Sequence, residues 1–84
     1  METVSVVIPT KNESANIYKL ITSLPSNYTK IVVDDSSDNT AFLAEKLGAI
    51  IVKGKGAGLG QAILDGIQKA ETDIVVVMDA DLSH

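Results

Sequence analysis

Two groups of carboxylates stand where apolar runs end. Asp79-Ala80-Asp81 follows Ile74-Val75-Val76-Val77-Met78, and Asp34-Asp35 follows Ile31-Val32-Val33. Alternate residues leaving a strand point the same way, so Asp79 and Asp81 would hold like charges side by side. A divalent cation relieves that repulsion. Carboxylate oxygens suit Mg²⁺ or Mn²⁺, and Mg²⁺ is commonly held by one or two carboxylates plus phosphate oxygens. The alternative is a polar strand end with one Asp capping the next turn. The Asp34-Asp35 pair could bind metal, accept a phosphoryl group, or accept hydrogen bonds from a nucleobase or ribose. Helix capping accounts for one acid of that run. Two adjacent acids ahead of any capping position exceed the need.

A third segment, Lys53-Gly54-Lys55-Gly56-Ala57-Gly58, is glycine-rich without matching a nucleotide fingerprint. Counting from Gly56, a G-x-G-x-x-G pattern requires glycine where Gln61 stands. A P-loop ending in Gly54-Lys55 requires glycine where Ala49 stands. What remains is a loop before a helix N-terminus with Lys53 and Lys55 nearby. Such a loop can receive phosphate, or it is a plain connection. Glu13 reads as a helix first-turn acid, and the single histidine, His84, carries no argument.

The elements that must position these groups alternate in type. Four β-branched runs are visible: Val4–Ile8, Ile31–Val33, Ala49–Val52 and Ile74–Met78. They are nearly all apolar and do not alternate with polar residues, as suits strands covered on both faces. Pro9 is expected to end the first run, since proline cannot donate to a ladder. Between runs one and two, Ile17, Leu20, Ile21 and Leu24 share a helical face that ends at Pro25. Between runs two and three, Phe42, Leu43 and Leu47 form a weaker stripe. Ser37, Asp38 or Asn39 could cap it, and Gly48 suits its C′ position. Between runs three and four, Leu59, Ile63, Gly66, Ile67 and Ala70 line one helical face. Close packing on a sheet would explain the glycine among them. The expectation is an α/β fold, a Rossmann-like doubly wound parallel sheet in the order β-α-β-α-β-α-β, forming one domain over 1–84. Ligands of such sheets bind outside the carboxyl ends of the strands. If the first run lies between the second and fourth, both acid groups overhang one crevice.

Composition narrows the classes. The chain has 84 residues, with 11 acids and 7 bases for a net charge of −4. Six of the acids (Asp34, Asp35, Asp38, Asp73, Asp79 and Asp81) are placed in or beside the two clusters. An acidic balance argues against sequence-independent nucleic-acid binding. The absence of Cys excludes disulfide frameworks, Cys-based zinc sites and thiol catalysis. All the bases are Lys, so no guanidinium can clamp a phosphate with two parallel bonds. No signal peptide or membrane-spanning run is visible. The expected setting is cytoplasmic.

Taken together the motifs resemble a known family. Val6-Val7-Ile8-Pro9-Thr10-Lys11-Asn12-Glu13 resembles the opening of family 2 glycosyltransferases with the GT-A fold. Ile31 to Thr40 is similar to their second motif, with Ser36 where glycine is usual. Gly56 to Ala62 followed by Gly66 is similar to the third segment. Val77-Met78-Asp79-Ala80-Asp81-Leu82-Ser83-His84 is similar to the metal-binding strand end. That last form most resembles dolichol-phosphate mannosyltransferases and related polyprenol-phosphate glycosyltransferases. Four motifs in order, covering the whole chain, are far more specific than any one of them.

The resemblance implies roles. Pro9, Thr10 and Glu13 would line a nucleoside pocket, and Asp34 or Asp35 would contact the base or ribose. Asp79 would lie by the ribose and diphosphate and contribute to the metal site. Asp81 would hold Mg²⁺ or Mn²⁺. Ser83 stands where many relatives carry a further Gln ligand. The implied donor is a nucleotide sugar, GDP-mannose first. The implied acceptor is a polyprenol (dolichyl) phosphate at the cytoplasmic membrane face, glycosylated with inversion. No catalytic residue is assignable here. The chain reads as the N-terminal, donor-binding half of a larger enzyme, expected to show little transfer alone. A receiver-like signalling domain and a non-catalytic remnant are the alternatives. An exposed edge at the fourth run would favour self-association.

Overall fold

The computed structural model describes residues 2–80. Its elements are β1 (Val4–Thr10), α1 (Ile17–Ser23), β2 (Thr29–Asp34), α2 (Thr40–Lys46), β3 (Ile50–Lys53), α3 (Leu59–Lys69) and β4 (Ile74–Val77). The four strands form one parallel sheet in the order β3-β2-β1-β4. The chain winds outward from β1 through β2 to β3, then crosses back to place β4 on the other side of β1. That reversal is the switch point at which doubly wound sheets open a crevice.

The apolar runs follow from two-sided cover. Val6, Ile8 and Val32 pack with Ile17, Leu20 and Ile21 of α1 and Ala44 of α2. Val7, Ile31 and Val33 pack on the other face with Ala62 of α3. A strand buried on both faces has no position at which a polar residue is cheap, so β1 and β2 lack alternation. Gly66 fits the same account. A Cβ there would run into Cγ1 of Val7 and come within 3.1 Å of Cγ2 of Val33, so glycine lets α3 sit close on the sheet.

Three details differ from the sequence expectation. Pro9 does not end β1; it pairs in register with Val33, and the strand runs to Thr10. The carbonyl of Val7 accepts from Met78, while that of Thr10 accepts from Asp35. Odd residues of β1 therefore face β4, whose paired residues stop at Val77, and Pro9 has no strand there to donate to. In α2 the buried positions are Thr40 and Ala44, with Leu43 and Leu47 packed beside them. Phe42 lies 56% exposed, under the ammonium of Lys46 at 5.2 Å from the ring centroid. In α3 the buried face is Ala62, Asp65 and Gly66, whereas Leu59 and Ile67 are exposed. Of the expected stripe, Gly66 meets the sheet and Ala70 packs against the core beside it, whereas Leu59 and Ile67 turn away.

Gly48 takes the positive φ expected of a helix C′ residue. Asp73 belongs to the far end of the sheet. Its carboxylate accepts from the amide of Thr3 at 3.1 Å and its hydroxyl at 3.3 Å, joining the entrances of β1 and β4. It therefore stands away from the carboxyl-end clusters.

Candidate functional site

A cavity of about 490 Å³ opens at the carboxyl ends of β1, β2 and β4. The end of β1 and its loop contribute Pro9, Thr10, Lys11 and Glu13. Asp35 enters after β2, Asp79 after β4, and Gly56, Gly58 and Leu59 close the side toward α3. The crossover explains the convergence: β1 lies between β2 and β4, so the acids that follow those two strands face one crevice.

The adjacent acids of the second motif separate into two environments. Asp34 is the last residue of β2 and is bound up in the loop. Its Oδ1 accepts from the Thr10 hydroxyl and from the Ser36 hydroxyl, both at 2.6 Å, and its Oδ2 accepts from the Ser36 amide at 3.1 Å. Asp34 does not line the cavity; it ties the end of β1 to the turn after β2. Asp35 does line it. Its amide donates to the Thr10 carbonyl, which directs its side chain toward the glycine-rich loop. There its Oδ1 accepts from the Gly56 amide at 3.2 Å. A Cβ on Gly54 would collide with this carboxylate, so Gly54 is what allows the loop to close over Asp35.

Behind these groups Asn12 acts as a hub. It adopts a left-handed φ of 56°, which asparagine tolerates better than most residues. Its side-chain oxygen accepts from the amides of Ser37 at 2.9 Å and Asp38 at 3.3 Å. Its own amide donates to the Ser36 hydroxyl at 2.7 Å. Nearby the Glu13 amide donates to the Thr40 hydroxyl at 3.0 Å, and that hydroxyl donates to Asp38. Glu13 is not a first-turn acid: its carbonyl accepts from Ile17, the first residue of α1. Asp38, one residue ahead of the N-cap Asn39, accepts from the Thr40 amide at 3.0 Å where α2 begins. The Thr40 hydroxyl, helped by the Thr40 amide and Ser14, outweighs desolvation and holds the Asp38 carboxyl below its ordinary value of 3.8.

Among the described residues Lys11 is the cation lining the cavity. The lysines of the glycine-rich loop do not take that place. Lys55 instead reaches Asp65 of α3, with its Nζ 3.5 Å from Oδ1. The sequence offered no signal for Lys11, because it stands between the conspicuous Thr10 and Asn12 in a loop whose path only the sheet defines.

Asp81 and Ser83, the remaining metal-ligand candidates, lie outside the described residues. Among the described residues no three Asp, Glu, His or Cys side chains gather closely enough to hold a metal ion. The chemistry of the donors fits a hard cation nonetheless: Asp79 is an exposed carboxylate at the cavity wall, and Asp81 follows it in the sequence.

Comparison with known proteins bears on this site. The profile of Glycosyl transferase family 2 matches residues 5–84. A dolichol-phosphate mannosyltransferase of Pyrococcus furiosus is 40% identical over 92 residues, which cover 96% of this chain and 26% of that protein. The crystal structure of mannosyl-3-phosphoglycerate synthase from Rubrobacter xylanophilus superposes with a TM-score of 0.84 at 28% identity, covering 99% of this chain and 32% of that one. Glucosyl-3-phosphoglycerate synthase from Mycobacterium tuberculosis, solved with Mn²⁺, UDP and glucosyl-3-phosphoglycerate, gives a TM-score of 0.80 at 31% identity over 94% of this chain and 33% of that one. The chain thus spans about a quarter to a third of the length of these relatives.

Proposed function

The chain belongs to glycosyl transferase family 2, and from that premise we propose that its cavity binds the nucleotide-sugar donor of a glycosyl transfer. One observation carries the proposal: the crossover between β3 and β4 brings Asp35 and Asp79, 44 residues apart in sequence, into the wall of one cavity with Pro9, Thr10 and Glu13. Asp35, which lines the cavity, would accept hydrogen bonds from a base or ribose. Asp34 acts behind it by holding the loop. Asp79 stands toward the diphosphate, where Lys11 contributes positive charge. Asp79 and Asp81, with Ser83 beside them in sequence, would hold Mg²⁺ or Mn²⁺, and a cation there supplies Lewis-acid charge to the leaving diphosphate.

The preferred donor is GDP-mannose and the preferred acceptor a polyprenol phosphate, supported by the likeness to a dolichol-phosphate mannosyltransferase. In that reaction an acceptor phosphate oxygen attacks the anomeric carbon as its bond to the diphosphate breaks, which inverts the centre. The acceptor is already anionic, so positioning matters more than a general base. The likeness to an enzyme solved with UDP and Mn²⁺ favours a uridine donor as the second reading. Family membership removes the receiver-like reading. Among the described residues no helix is long and apolar enough to cross a membrane; a cytoplasmic setting, at the membrane face for a polyprenol acceptor, is part of the proposal.

The test is a thermal-shift panel of GDP-mannose, UDP-glucose and UDP-GlcNAc, each with Mn²⁺ and with EDTA. A donor at a hundred times its Kd should stabilise the fold by about 2.7 kcal/mol by mass action. Asp35→Asn and Asp81→Ala should remove the shift. Asp34→Asn should instead lower the unliganded midpoint. No shift with any donor defeats the proposal.

A further inference from the structure

Asp65 is a buried carboxylate outside the cavity wall, on the face of α3 turned toward the sheet, with a residue exposure of 8%. Its Oδ1 accepts from the Gln61 amide nitrogen at 2.9 Å and lies 3.5 Å from Lys55 Nζ. Its Oδ2 is buried with no hydrogen-bond partner. Burying a carboxylate with half its acceptors unsatisfied is costly, and an apolar residue at this position of α3 would avoid the cost. The fold itself therefore gives no reason for an acid here.

The partner of Asp65 supplies one. Lys55 stands between Gly54 and Gly56, the two residues against Asp35. The loop is thus held from both sides: Asp35 takes the Gly56 amide from within the cavity, and Asp65 takes the Lys55 ammonium from α3. Gly56 and Gly58 have positive φ, and Gly54, Gly56 and Gly58 together leave the backbone free to swing when untied. We infer that Asp65 is a positioning residue which, through Lys55, fixes the glycine-rich loop in the form that closes the donor cavity and presents the Gly56 amide to Asp35. The inference rests on the donor reading for its purpose, but the coupling between Asp65 and the loop stands on the geometry alone.

Three variants of the 84-residue chain test it: Lys55→Ala, Asp65→Asn and the charge-exchanged Lys55→Asp/Asp65→Lys. Asparagine at 65 keeps an acceptor for Gln61 and removes the buried charge, so its thermal midpoint should hold or rise. A merely structural role for Asp65 requires the opposite. Hydrogen exchange of the Gly56 amide, read by NMR, should quicken about two- to fivefold in both single variants, the range expected for losing a partly exposed ion pair, while exchange in β1 and β2 stays unchanged. The charge-exchanged pair should restore slow exchange at least in part. In the presence of Mn²⁺ the Kd for the responding nucleoside diphosphate should weaken by a similar factor in both single variants. Unchanged Gly56 exchange in both single variants overturns the inference. Quickened exchange in a chain that binds no donor sustains the coupling and defeats only the donor reading.

Discussion

Asp34 and Asp35 are the same residue type in adjacent positions, and the structure gives them different work. The hydroxyls of Thr10 and Ser36 reach Asp34 and leave Asp35 to the cavity. Sequence shows that an acid pair is present; it cannot show which member points inward, because that depends on where β1 ends relative to β2. Asp38 illustrates a third use of an acid, holding the first residue of α2 through the Thr40 amide and hydroxyl. Its carboxyl is lowered by the Thr40 hydroxyl, so its contribution is present above the unfolded value and is lost as pH falls through the folded one. The stability gap between the native chain and Asp38→Ala should therefore be full at neutral pH and narrow below about pH 3.8, the ordinary value. Thermal midpoints of both proteins across that range check the sign. A gap that widens on acidification contradicts the assignment.

At the scale of elements, β1 and β2 were legible because two-sided burial leaves a sequence nearly all apolar. Helix α1 was legible because Ile17, Leu20 and Ile21 all face the core. Helix α3 was legible as a helix but only in part in its facing: Gly66 meets the sheet as its place in the stripe implied, whereas the large residues Leu59 and Ile67 are exposed and the small Ala62 packs in their stead. Hydrophobicity alone ranks Leu above Ala and Gly, but close approach to Val7 and Val33 selects for the absence of side chain. Gly66→Ala tests this directly. Helix propensity favours alanine by about 1 kcal/mol, whereas forcing a methyl against the branched Val7 costs typically about 1–3 kcal/mol. Net destabilisation in urea unfolding is expected, and a more stable variant would show that α3 can shift off the sheet.

Over the whole molecule the charge of −4 is not spread evenly. Asp35 and Asp79 meet at the cavity, whereas Asp73 fastens the opposite end of the sheet and Asp65 is committed to Lys55. The sheet is also unequal at its margins. β4 pairs with β1 on one side, and its other edge has no strand beside it among the described residues. Ile74, Val76 and Val77 are 38–44% exposed there. An apolar edge of this kind invites pairing with a second copy. Sedimentation velocity of the 84-residue chain should show association that grows with concentration, and Val76→Lys should suppress it. A native chain that stays monomeric throughout would remove this expectation.

The sequence by itself determined the alternation of strands and helices, the parallel two-sided sheet, and the four motifs that mark the family. Those properties are local: periodicity, turn chemistry and residue order survive without knowing how the chain closes. Only the tertiary structure decided that Asp35 rather than Asp34 faces the cavity, that Lys11 rather than Lys55 lines it, and that Pro9 continues its strand. Each depends on which strand lies beside which and where the neighbour ends. That information resides in the pairing of β1 with β2 and in the crossover from β3 to β4, between residues distant in the chain, and no local pattern encodes it.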